Sequence, residues 1–106
     1  MTPEEKAELR EEVIAALQDV YDPEIPVDIY KLGLIYNIDI SDTADVAILM
    51  TLTTPNCPAA QSLPEEVKQK TAELEGVNSA EVEVVFEPPW TMEKMDDAAK
   101  LTLNIL

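Results

Sequence analysis

Apolar residues recur at helical spacing near the start of the chain. Leu9, Val13 and Leu17 fall on one stripe, while glutamates occupy the opposite face. This spacing predicts an amphipathic helix that lies on a core with one side in water. Thr2 and Glu5 have the residue types of a capping box, so the helix is predicted to begin directly after Thr2.

Three later segments have the alternation or the continuous apolar character of strands. They cover residues 34–40, 45–53 and 80–87. The residues between the first two, Ser41-Asp42-Thr43-Ala44, are typical of a turn, so these strands are predicted to form an antiparallel hairpin. Both faces of the second strand are largely apolar, which predicts a strand well covered by helices.

Helical patterns follow the second and the third strand. The first of these is predicted to end near Gly76 and the second to cover about residues 96–103. The element order is then α-β-β-α-β-α, in the α/β (α+β) class. It predicts a single domain over residues 1–106, a two-layer sandwich in which helices pack on a three-stranded sheet. The pattern leaves the position of the third strand open.

The net charge of the chain limits the classes of partner that it can bind. Seven Lys and Arg residues stand against 22 Asp and Glu residues, a net charge of −15. Nucleic acids and anionic membranes are bound largely through Lys and Arg, so neither is expected as a partner. The acidic surface favours solubility, or it attracts a basic protein. No apolar run is long enough to span a bilayer, and the acidic start is unlike a signal peptide, so the expected location is cytoplasmic.

The chain contains no histidine, which excludes a Ser–His–Asp triad, a Cys–His dyad and any imidazole-based metal site. It has only two glycines and no phosphate-binding loop, so no nucleotide is expected. A thiol enzyme would need a carboxylate or a helix dipole to activate its nucleophile, and it ranks last among the hypotheses. The chain is therefore not expected to be an enzyme.

The lone cysteine lies between the second strand and the helix that follows. If Pro58 takes the first helical position, Cys57 becomes the N-cap, where the helix dipole favours a thiolate and lowers the pKa of the thiol. The alternative is that Cys57 is a small buried apolar residue. A cluster needs several ligands, so one Cys57 would require a second thiolate from a homodimer, oxygen ligands or a small thiol.

Two proline-containing turns offer further candidates. Asp22 and Glu24 flank Pro23, where they could bind a metal or a partner's lysine; alternatively, Asp22 caps the turn and Glu24 is solvated. Trp90 follows Pro88-Pro89 and is either a partner-binding anchor or a lid over the edge of the core.

Four short motifs occur in order along the chain. They are Asp22-Pro23-Glu24-Ile25-Pro26, Leu32-Gly33-Leu34-Ile35-Tyr36, Thr53-Thr54-Pro55-Asn56-Cys57-Pro58 and Pro88-Pro89-Trp90. Together they resemble the PaaD-like or SufT-type domain of iron–sulfur cluster assembly factors. The family commonly has glycine where this chain has Asn56, and asparagine is the next best residue for a left-handed conformation.

The resemblance implies a role in maturing iron–sulfur proteins. Cys57 matches the family's characteristic cysteine and would be a transient ligand for iron or a cluster. The implied partners are iron–sulfur scaffold or carrier proteins and apo-protein clients; the alternative is a pure adaptor that binds through Trp90 and the acidic surface. The candidate site residues are Asp22, Glu24, Thr53, Thr54, Pro55, Cys57 and Pro58.

Overall fold

The structure is a computed structural model that describes residues 1–22, 25–53 and 62–102. Its elements are α1 (Pro3–Leu17), β1 (Ile35–Ile40), β2 (Asp45–Met50), α2 (Leu63–Ala72), β3 (Ser79–Val84), a 3₁₀ turn (Met92–Lys94) and α3 (Asp97–Thr102). The predicted order α-β-β-α-β-α is confirmed, and so is the α+β class.

The sheet has the order β1-β2-β3. The predicted hairpin is confirmed, because β1 and β2 pair antiparallel. The chain then crosses over through α2 and adds β3 parallel to β2, which settles the position that the sequence left open. A register shift between Ile35 and Asn37 interrupts the regular pairing of β1 near its start.

Helix α1 begins as its sequence predicts. The Thr2 hydroxyl accepts from the backbone N–H of Glu5 at 3.1 Å, and the Glu5 carboxylate accepts from that of Thr2 at 2.9 Å. Two backbone donors of the first turn are thereby satisfied. The buried stripe of the helix consists of Leu9, Val13 and Leu17.

The helices of the described ranges cover one face of the sheet. Helices α1 and α2 contribute their buried side chains to one core with the inner residues of the strands. On the other face Ala47 is exposed and Leu49 is half-buried. The expectation that helices cover both sides of β2 was therefore wrong, because the residues flanking these two on β1 and β3 are polar and keep that face in water.

After β3 the chain returns to the segment that precedes β1. The backbone N–H of Asp96 donates to the carbonyl of Lys31 at 2.9 Å. Gly33 has φ +81°, and a Cβ at this position would overlap the backbone of Lys94. Met95 and Ala99 complete the contact by entering the core. Two segments about 60 residues apart in sequence are thereby packed backbone against backbone.

Candidate functional site

The ends of the strands define one end of the molecule. The register aligns Ile35 with Met50 and Met50 with Val84, so the start of β1 and the ends of β2 and β3 lie side by side. The segment that carries Thr53 leaves β2 here, and the segment that carries Trp90 leaves β3 here. Thr53 and Trp90 therefore approach this end from separate parts of the chain.

A series of backbone hydrogen bonds ties the Asp22 turn to the exit of β2. Ile29 N–H donates to the Val20 carbonyl at 2.9 Å, Leu34 N–H to the Ile29 carbonyl at 3.1 Å, and Thr51 N–H to the Leu34 carbonyl at 2.8 Å. Together these three hydrogen bonds connect the end of the α1 region, the loop before β1 and the residues after β2. Asp22, two residues after Val20, is thus connected through the backbone to the chain that leads into Thr53.

Asp22 lies at the base of this region. Its side chain is only 4% exposed, and its Oδ1 accepts from the backbone N–H of Ile25 at 3.0 Å. A carboxylate that accepts from the amide three residues on holds the turn in shape, as an Asx cap does. The hydrogen bond from Ile25 is the contact expected if Asp22 caps the turn. Glu24 lies outside the described residues.

The β2 exit carries two threonines with different surroundings. Thr53 is half-buried. Thr51 is fully buried, and its hydroxyl has no hydrogen-bond partner within the part of the chain that the structure describes. Sequence reasoning missed Thr51, although its position two residues before Thr53 and among apolar neighbours could have drawn attention to it.

The remaining residues of the motif fall in the segment 54–61. Thr54, Pro55, Cys57 and Pro58 lie outside the described residues, so the placement of Cys57 at a helix N-cap stays a prediction. The described part of the following helix begins at Leu63, and Ser62 makes no side-chain capping bond to it.

Trp90 is half-buried and belongs to the described region. Its indole Nε1–H donates to the carbonyl of Leu32 at 2.7 Å, and its ring packs against the core. The Tyr36 hydroxyl donates to the carbonyl of Pro88 at 2.7 Å, and the Lys94 ammonium lies 5.0 Å from the centre of the Tyr36 ring. These contacts match the interpretation of Trp90 as a lid. Its role as a partner anchor stays a prediction.

A second buried carboxylate near the site was not singled out in the sequence. Asp28 is 2% exposed, accepts from the backbone N–H of Lys31 at 3.0 Å and pairs with the Lys31 ammonium at 3.1 Å. The hydrogen bond to Asp28 and the charge of that carboxylate raise the pKa of Lys31 above its usual value. Asp is a preferred residue for capping backbone N–H groups two or three positions on, and sequence reasoning could have used this signal.

In residues 1–22, 25–53 and 62–102, no group of three Asp, Glu, Cys or His side chains is placed to hold a metal ion. Within the same ranges, no helix is long and apolar enough to span a membrane.

Comparison with known proteins supplies the relationship of this chain to others. Over 96 residues it is 45% identical to an Fe-S protein maturation auxiliary factor of Porphyromonas gingivalis, covering 91% of each chain. It is 44% identical to the Fe-S protein maturation auxiliary factor YitW of Bacillus subtilis, with 92% of this chain and 95% of the relative covered. A crystal structure of a domain of unknown function from Bacillus anthracis matches with a TM-score of 0.86 and 37% identity, over 94% of this chain and 95% of that one. The family described as "Iron-sulfur cluster assembly protein" matches residues 10–84, and the chain belongs to this family.

Proposed function

We propose that this chain is an auxiliary factor that assists the assembly or targeting of iron–sulfur clusters, with Cys57 as a transient ligand of iron or a cluster. The observation that carries the proposal is the match to maturation auxiliary factors over at least nine-tenths of both chains. The function expected from the sequence motifs agrees with the names of these relatives. A cytoplasmic location and a role without an enzymatic step belong to the proposal.

Backbone hydrogen bonds hold the described residues that lead toward Cys57. The chain enters the segment 54–61 directly from β2, whose exit is held by the bond from Thr51 to Leu34. The same series of bonds connects the Asp22 turn to the backbone that leads into Thr53, four residues before Cys57.

The cluster is cargo in this proposal. A thiolate of Cys57 and ligands from a second copy, from oxygen atoms or from a small thiol would hold it. Transfer to an apo-protein then exchanges these ligands for the client's own thiolates, with no net change in oxidation state. Scaffold or carrier proteins and apo-protein clients are the partners that this exchange requires, and a homodimer is one source of the second thiolate.

Anaerobic reconstitution tests the role of Cys57. The purified chain is incubated with ferrous iron, sulfide and a reducing thiol, and the absorption of the desalted protein is recorded beside Cys57→Ser and Cys57→Ala. The wild type should show sulfur-to-iron charge-transfer bands that both variants lack. Equal uptake of iron and sulfide by wild type and Cys57→Ser, or no uptake by either, would remove the ligand role and leave the family assignment intact.

An adaptor that binds no cluster is the second candidate, favoured by the excess of acidic residues and by the sheet face that no described helix covers. Complementation of cells that lack the factor separates the two. An adaptor tolerates Cys57→Ser but fails when Trp90 is changed. Because Trp90 also bonds to Leu32, Trp90→Phe and a folding check by circular dichroism accompany Trp90→Ala.

A further inference from the structure

The outer face of the sheet consists of two aligned rows of three side chains. The strand register makes these rows Asp39–Ala47–Glu81 and Asn37–Leu49–Glu83. They line a shallow concavity of about 710 Å³ that extends over all three strands. The small Ala47 and the half-buried Leu49 form its floor on the middle strand, and polar side chains of β1 and β3 form its two rims.

The rims are acidic on both sides. Asp39 stands on one rim, and Glu81 and Glu83 stand on the other; all three are exposed. The ion pairs formed within the described ranges, Lys6–Asp42 and Lys31–Asp28, lie elsewhere. Lys68 of α2 lines only an adjoining depression, which it shares with Glu81. The face is therefore an apolar floor with one carboxylate on the β1 rim and two on the β3 rim, and no basic side chain of the described part forms an ion pair with any of the three.

The acidic rims and the apolar floor favour one class of binding partner. A second copy of the chain would bring the same carboxylates face to face, and nucleic acid or an anionic membrane would add further negative charge. Lys and Arg side chains have long aliphatic stems that can cover Ala47 and Leu49 while their charged ends reach the rims. A protein segment that presents such side chains fits both the floor and the rims.

We propose that the outer sheet face docks a Lys- or Arg-bearing segment of a partner protein, with the basic groups placed between Asp39 on one rim and Glu81 and Glu83 on the other. The inference rests on the proposed function in one respect: the partner is one of the proteins that the factor serves. None of the residues that form this surface belongs to the segment 54–61.

Binding of a defined probe tests the proposal. The ¹⁵N-labelled chain is titrated with a capped ten-residue peptide of alternating Lys and Ala, and with the same peptide carrying Glu in place of Lys. The variant Asp39→Asn/Glu81→Gln/Glu83→Gln is compared with Glu8→Gln/Glu11→Gln/Glu12→Gln on the exposed side of α1, which removes the same three charges. Amide spectra of the free variants show that both remain folded.

The Lys peptide should shift the amides of the outer-face residues, and the Glu peptide should shift none. Three exposed ion pairs predict about tenfold weaker binding to the sheet-face variant, while the α1 variant stays within about twofold of the wild type. Raising the salt concentration should weaken binding to the wild type. Equal weakening by both variants, shifts spread over the helices, or no binding at millimolar peptide would overturn the proposal.

Iron and sulfide uptake by the same variants keeps the two proposals apart. The sheet-face variant should retain wild-type uptake, because its changes leave Cys57 intact. Loss of peptide docking with normal uptake is therefore the expected pair of results. If the wild type docks the peptide normally but takes up no iron, the ligand role of Cys57 is contradicted and the docking proposal stands.

Discussion

The two ends of the sheet are held together in different ways. At the hairpin end, the carboxylate of Asp45 accepts from Thr43 Oγ1 at 2.5 Å, from Asn78 Nδ2 at 2.7 Å and from Ser79 Oγ at 2.7 Å. One charged side chain thus joins the β1–β2 turn to the start of β3. These hydrogen bonds lower the pKa of Asp45 to about 2.

At the opposite end, where the candidate site lies, segments distant in sequence are packed on each other. Gly33 lies against the backbone of Lys94, and Trp90 donates to the carbonyl of Leu32. The hairpin end can thus lose one polar contact and keep its shape, whereas the site end depends on a close fit between two loops. Changes at the site end should therefore cost more stability than changes at the hairpin end.

The largest effect is expected for Gly33→Ala. The new Cβ would overlap the backbone of Lys94, and φ at this position is +81°, so the substitution adds a steric conflict to a strained backbone. The free energy of unfolding should fall by about 3 kcal/mol. Urea denaturation followed by circular dichroism measures this change.

Gly76→Ala is the matched control. Gly76 also has positive φ, at +91°, but its added Cβ would make only an ordinary contact at 3.9 Å with the side chain of Leu9. The free energy of unfolding should fall by about 1–2 kcal/mol, because only the unfavourable backbone conformation of a non-glycine residue contributes. Equal losses for the two variants would show that the contact with Lys94 adds nothing.

Trp90→Phe should have an intermediate effect. It keeps most of the aromatic packing but removes the donor to Leu32, whose side chain is fully buried. An unsatisfied carbonyl in such surroundings predicts a loss of about 1–2 kcal/mol in the free energy of unfolding, again measured by urea denaturation. Tyr36→Phe removes an exposed hydrogen bond to Pro88 and should cost under about 0.5 kcal/mol. A larger loss for Tyr36→Phe than for Trp90→Phe would contradict the lid role.

The smallest effect is expected at the hairpin end and depends on pH. The pKa of Asp45, about 2 in the folded protein, lies below its usual value of 3.8. Its carboxylate therefore stabilises the fold above about pH 4, and this contribution is lost as the pH falls from about 4 to 2. Asp45→Asn should lower the urea midpoint at pH 6, and the difference from wild type should vanish toward pH 2.

Asp42→Asn is the comparison for that experiment. The pKa of Asp42 is also lowered, chiefly by the hydrogen bond from Lys6, with which it pairs at 2.6 Å. Because this is one exposed ion pair, its removal should change the pH dependence less than Asp45→Asn does. A larger change for Asp42→Asn would place the main polar contact of this end at the helix rather than at the turn.

Local sequence signals predicted the parts of the fold that local bonds determine. The capping box of Thr2 and Glu5 and the turn between β1 and β2 are formed by residues close in sequence, so their chemistry is visible in the chain. The two faces of β2 could not be predicted in the same way. Ala47 and Leu49 are apolar, but their exposure depends on the polar residues that neighbouring strands place beside them.

The candidate site was predictable in part for the same reason. The motifs that contain Asp22 and Thr53 were visible in the sequence, but the bonds that connect them are made by the backbone of Ile29 and Leu34, and side-chain identity does not reveal such bonds. The bond from Trp90 to Leu32 joins residues 58 positions apart and has no local signature. Cys57 and Glu24 lie outside the described residues, and their roles stay predictions.

The contact of Arg10 with β1 has a consequence for how the protein behaves at high concentration. Its guanidinium donates to the carbonyl of Ile38 at 2.6 Å. The backbone N–H of Ser41 donates to the carbonyl of Asp45 across the hairpin. Residues of an antiparallel strand point their backbone groups alternately toward and away from the neighbouring strand, so the carbonyl of Ile38 points away from β2, toward the outer edge of β1. An open edge is a template on which foreign strands can add and aggregates can grow. By occupying that carbonyl, one arginine of α1 makes intermolecular strand pairing at β1 less favourable.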